Sequence, residues 1–81
     1  MNKRLRNRLA RVELTKMSQE GSDWMSIYDL ASLIDERVRL SHHFLGSRLG
    51  YGELQIRSLL CEFHNIERQR IQGSTQVRFV V

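Results

Sequence analysis

The chain has no proline, a single cysteine and no long apolar run, and each shortage removes a class of protein. With Cys61 alone, no internal disulfide can form, which fits a reducing compartment and points to the cytoplasm. No apolar stretch approaches the ~18 residues of a bilayer-crossing helix, so no membrane association is expected. The opening MNKRLRNRLARVELTK lacks the apolar core of a secretory signal and reads as a charged amphipathic stretch. Without proline, low-complexity tract or internal repeat, the breaks between elements must fall on Gly21, Gly50, Gly52 and Gly73. Eighty-one residues make one small domain. A chain of that size buries only ~60% of its unfolded surface, so its stability margin is thin. It has no room for a deep cleft and a separate cofactor lobe, although size alone does not exclude a small hydrolase or nuclease. Asp29, Asp35 and Glu36 are scattered along an acidic segment, with no nucleophile–base pair or phosphate loop beside them. The expectation is therefore not an enzyme, with no cofactor.

What the sequence does have is charge, unevenly placed. The net charge is +4, but residues 1–16 alone carry six Lys/Arg against Glu13. Residues 17–41 sum to −3, residues 42–64 to zero and residues 65–81 to +2. Basic ends around an acidic middle usually face a polyanion, although a solubilising surface has the same composition.

Hydrophobic period divides the chain further. Residues 2–19 have helical spacing, with Leu5, Leu9 and Val12 on one line and Ala10, Leu14 and Met17 on another across the helix. Arg4, Arg8 and Arg11 form a basic stripe between them, and Gly21 is a stop signal. One apolar line can pack on the domain. The other, with Leu14 and Met17, then needs a partner, which a symmetric homodimer supplies, unless the helix is wedged between two elements of its own fold. Ser26 with Asp29 three residues on is a variant capping box, opening a helix over about 26–36 with Ile27, Leu30, Ala31 and Ile34 on one face. RVRL (37–40) alternates as a short strand would. Ser41 can cap a short helix running to Leu49, and Ile56, Leu59, Leu60 and Phe63 stripe a helix over 53–64. In IERQRIQGSTQVRFVV the period changes to two, and residues 66–81 read as a β-hairpin turning at QGST.

The segment FLGSRLGYGELQIRSLL (44–60) joins the two later helices. Two short helices crossing steeply need a small residue at the crossing, a residue tolerant of positive φ at the turn, and apolar side chains that lock the pair. Gly46 and Gly50 meet the first two needs, and Leu45, Leu49, Tyr51, Ile56 and Leu59 the third. Shifting the same pattern onto SIYDLASLID puts Asp35 at the turn and Ser41 at a buried position, so that register fails.

Through Leu45, Gly46, Leu49, Gly50, Tyr51, Ile56, Arg57 and Leu60 the segment resembles the helix-turn-helix of bacterial winged-helix transcription regulators. The tail resembles the wing that follows such a recognition helix. The resemblance covers about residues 26–81. It implies an α+β fold, a three-helix core with a C-terminal hairpin wing, preceded by an extra helix in residues 1–21 and occupying 22–81. It also implies double-stranded DNA as partner, with residues 53–64 in the major groove. The DNA-contacting set is then Arg48, Gln55, Arg57 and Ser58 around the recognition helix, Arg68, Arg70 and Arg78 in the wing, and Arg4, Arg8 and Arg11 on the first helix.

Each assignment has an ordinary alternative. Arg57 suits a guanine and Gln55 or Ser58 a further base contact, but with Leu54 and Cys61 this face is thin in polar readers, which leaves room for a protein partner bound by the same fold. Wing arginines also protect edge strands, and a basic stripe is often only a solvated helix face. His42, His43, Cys61 and His64 could be metal ligands. The stronger reading is helix-cap histidines and a small apolar cysteine, because no second ligand pair stands at finger spacing. No metal is expected.

Overall fold

A computed structural model describes residues 2–42 and 49–81. The expected helix 42–49, with Leu45, Gly46 and Arg48 on it and His43 at its start, lies almost wholly outside the described residues. Within them the order is α1 (Lys3–Glu20), β1 (Met25–Ser26), α2 (Ile27–Ser41), α3 (Glu53–Leu60), β2 (Ile66–Ile71) and β3 (Ser74–Phe79). The architecture is α+β, three helices and one antiparallel sheet in the order β1–β3–β2.

α1 starts at Asn2, whose side-chain oxygen accepts from the Leu5 N–H at 2.8 Å. It stops at Gly21, where φ is +80° and the N–H reaches the Met17 carbonyl at 2.9 Å. Its buried positions are Leu9, Ala10, Glu13, Leu14 and Met17. This corrects the expected dimer face. Leu14 and Met17 belong to the same core as Ile34, Ile56 and Val77, while Leu5 and Val12 remain on the exposed side. Two helical lines are visible in the sequence, and the core takes Ala10, Leu14 and Met17 from one and Leu9 from the other. The buried Glu13 carboxylate lies 3.3 Å from Lys16 and 3.6 Å from Arg37, pinning α1 to α2.

α2 begins as expected, with the Ser26 hydroxyl accepting from the Asp29 N–H at 3.0 Å, a cap of about 1 kcal/mol. It does not give way to a strand at 37–40. Val38 falls four residues after Ile34 and is fully buried, whereas Leu40 is left exposed. The alternation of RVRL is thus incidental to a helical line that runs on. Asp35 and Arg39, at i and i+4, pair at 3.4 Å along the same stretch. Ser41 is the last residue of this helix.

The hairpin forms where the period of two placed it. Gln72 and Gly73, with φ of +50° and +78°, make the two-residue turn that suits the twist of paired strands. Val77 and Phe79 are buried, but Val81 is exposed, so the alternation ends with β3. The third strand, β1, pairs Met25 with Val77 and Ser26 with Gln76. Its two residues are too short to leave a pattern in the sequence.

Candidate nucleic-acid interface

α3 is placed from both ends. Before it, the buried Asp35 accepts the Leu49 N–H at 2.9 Å, which anchors the incoming chain beneath α2. Gly50 then turns at φ +73°, and the Tyr51 hydroxyl donates to the Arg6 carbonyl at 2.8 Å. Burial pushes the Tyr51 phenol up, against the opposing effect of nearby Arg6. Beyond α3, Cys61 caps the helix, and the N–H groups of Glu62 and Phe63 close tight turns onto the Leu59 and Leu60 carbonyls. The helix is therefore shorter than 53–64. Phe63 leaves it to pack edge-on against Phe79, ring centres 5.6 Å apart, and His64 is not on the helix with Cys61.

Ile56, Leu59 and Leu60 fill the inner side of α3. Glu53, Leu54, Arg57, Ser58 and Cys61 are exposed, Leu54 at 81%. The Cys61 thiol donates to the Arg57 carbonyl at 3.4 Å. Gln55, expected to reach a base, instead donates its amide to Asn7 Oδ1 on α1 at 2.5 Å.

Strand register decides what the hairpin offers. Directly opposed residues of an antiparallel pair share a face. Arg68 opposes Val77 and Arg70 opposes Thr75, so both arginines lie on the face that carries the core residues Val77 and Phe79. Arg57 of α3 meets that face, its Nη2 3.4 Å from Thr75 Oγ1. Arg57, Arg70 and Thr75 line a hollow of about 400 Å³ with Ser26, Tyr28, Glu53 and the hairpin turn. Arg57, Arg68 and Thr75 line its neighbour of about 420 Å³. Among the described residues none of these three arginines has an ion-pair partner.

Arg78 does not join them. It opposes Glu67 on the other face, bonds its carboxylate at 2.6 Å and lies 4.7 Å from the centre of the Trp24 ring. Arg11 is also engaged, forked onto Glu62 at 2.6 and 2.9 Å. That bond holds the Glu62 carboxyl below its ordinary range. Arg4 and Arg8 are exposed on α1, without a partner among the described residues.

Two cations missed in the sequence border α3 on the side away from the hairpin. Lys3 and Arg6 line a hollow with Leu54, Gln55 and Ser58. Arg6 donates to the Gly50 carbonyl at 2.8 Å and lies 5.3 Å from the centre of the Tyr51 ring. The spacing of Lys3, Asn7 and Arg11 marks one side of α1, and with α3 placed beside it that side faces α3 through Asn7 and Glu62. The exposed face of α3 thus lies between two cationic banks. No three His, Cys, Asp or Glu side chains converge as metal ligands would, among the described residues. No described helix is long and apolar enough to cross a membrane. Comparison of the chain with protein-family models, curated proteins and solved structures returned no match.

Proposed function

We propose that the chain is a winged-helix, double-stranded DNA-binding protein that regulates transcription, with α3 in the major groove and the β2–β3 hairpin as its wing. The observation that carries this reading is the cluster of Arg57, Arg68 and Arg70 beside the exposed face of α3, three guanidinium groups without a described acid partner. Like charges gathered on a concave surface repel one another, and a polyanion relieves that repulsion while releasing its own counterions. Helix α3 has eight residues, and an α-helix with its side chains is about 10–12 Å across, which suits a groove about 12 Å wide. The element order and the β1–β3–β2 sheet are compatible with a winged helix and support the same reading.

The test is a titration with labelled duplex at two salt concentrations. Binding should weaken linearly on a log–log plot, with a slope near −0.9 for each phosphate contacted. Affinity that ignores salt would remove the proposal.

One observation favours a second reading, in which the same face of α3 binds a protein. Leu54 stands 81% exposed in the middle of that face, where an apolar anchor would sit. Under this reading duplex affinity stays weak at physiological salt, and Leu54→Ala abolishes partner binding. A homodimer formed through α1 would have to use its Leu5 and Val12 side, since Leu14 and Met17 are in the core.

A further inference from the structure

We infer that Arg57 is a phosphate ligand belonging to the hairpin's arginine cluster, not a base reader, and that duplex binding by this chain is only weakly sequence-selective. The inference rests on the DNA-binding reading above and assigns the chemistry within it.

The direction of the side chain comes first. Arg57 starts from the exposed side of α3, yet its guanidinium reaches sideways to Thr75 on β3, at 3.4 Å. That contact is long for a hydrogen bond and weak, but it records where the group lies, over the hairpin and away from the outward line of Leu54 and Ser58. The second observation is the company it keeps. Arg70 shares one hollow with it and Arg68 the next, with Glu53 the one acid lining either. The ligands that three planar donor forks can share are adjacent phosphodiesters of one backbone, each with two non-bridging oxygens that share a single charge; a guanine edge takes one fork.

The third observation is what remains on α3 for reading bases. Gln55 is bonded to Asn7, and the Cys61 thiol is turned onto its own helix. That leaves Glu53, whose carboxylate lines the arginine hollow and can accept from one cytosine amino group, Ser58, a short hydroxyl, and Leu54, which can meet a thymine methyl. None of the three makes the bidentate contact that discriminates one base by on the order of ten- to a hundredfold. A helix so equipped sits in the groove and is held there by its flanks.

The experiment uses the 81-residue protein, the duplex most enriched by selection from a random pool, and a scrambled duplex of equal length. Affinities are measured at about 50 and about 200 mM salt. The parent should prefer the enriched duplex by no more than about tenfold, far below the 10³ or more of strongly specific binders. Arg57→Ala should weaken both duplexes by the same factor and lower the salt slope by about 0.9. Arg57→Lys, which keeps the charge and loses the fork, should retain the parent slope. Matched thermal melts check that both variants are folded. The inference is overturned if the parent prefers its selected site by about 10³ or more and Arg57→Ala abolishes that preference while leaving scrambled-duplex affinity and slope unchanged. A parent that binds neither duplex at either salt overturns the DNA-binding reading itself, and this assignment with it.

Discussion

The two basic regions of the molecule, α1 and the β2–β3 hairpin, hold their arginines differently. The first sixteen residues have the larger net charge, yet Arg6 is tied to Gly50 and Tyr51 and Arg11 to Glu62, so much of that charge holds α1 against α3. The hairpin has fewer cations but sorts them by face. Arg78 pairs with Glu67 beneath Trp24, while Arg68 and Arg70 stand on the helix side with no acid partner described. Net charge along a sequence therefore says little about which cations are left without an acid. Among the described residues these include Arg4 and Arg8 on α1 and Arg68 and Arg70 on the hairpin, and register and helix packing set that.

The comparison can be broken most severely at Leu14. If α1 is part of the core, Leu14→Ala should cost about 2–5 kcal/mol, read as a fall in the denaturation midpoint with helix content lost in the same transition. A variant that keeps parental stability and merely sediments as a smaller species would restore α1 as an appended dimer element. Next in size is Gly21, which leads out of α1 with φ +80° and ψ 165°, a region that side chains other than hydrogen scarcely enter. A Cβ there would also stand 2.5 Å from Val81 Cγ2. Gly21→Ala should destabilise by about 1–3 kcal/mol, and an unchanged melt would mean that the link between α1 and the sheet is looser than drawn here.

The two faces of the hairpin should separate cleanly. Arg78→Ala should lower stability by about 0.5–1 kcal/mol, through the lost ion pair and ring contact, and leave the salt slope of duplex binding alone. Arg68→Ala and Arg70→Ala should each flatten that slope by about one with little change in the melt. Reversed outcomes would put the binding surface on the Trp24 side. The smallest effect belongs to Arg11 and Glu62. Because the hydrogen bond from Arg11 holds the Glu62 carboxyl below its ordinary range, its contribution is fully present above that range and is lost as pH falls through the lowered value. Glu62→Gln should therefore melt slightly earlier than the parent at neutral pH and together with it in acid. A gap that persists in acid would deny the pair any part in holding α1.

The extent to which all this could be read from residues alone follows from how local each signal is. Ser26 and Asp29, the alternation of β2 and β3, the stop at Gly21 and the positive φ at Gly50 depend on a few neighbouring residues, and they stand where they were expected. RVRL misled because a four-residue alternation also fits the end of a helix when one of its apolar residues continues the buried line. The choice between the two apolar lines of α1 depends on α2 and β3, which no window of that helix contains. The same holds for the candidate interface. Arg68 and Arg70 were legible as a pair, but the separation of Arg78 required strand register, and the loss of Gln55 to Asn7 required the approach of α1 to α3.

The strand β1, only two residues long, ties Met25 and Ser26 to Val77 and Gln76, and beside it Ser22 exchanges hydrogen bonds with Phe79 at 3.0 Å in each direction. These links close loops of some fifty residues, whereas the hairpin closes over two. Long loops are entropically slow to close, so the expected order is hairpin and helices before the sheet seam, which pulsed hydrogen exchange during refolding would report. A nascent chain synthesised only as far as Leu60 contains the residues of α1, α2 and α3, yet Val77 and Phe79 are missing from the core and Met25 has no strand to pair with. Completion of this core therefore waits on the synthesis of β3, and until then the apolar faces of α1 and α2 lack part of their cover.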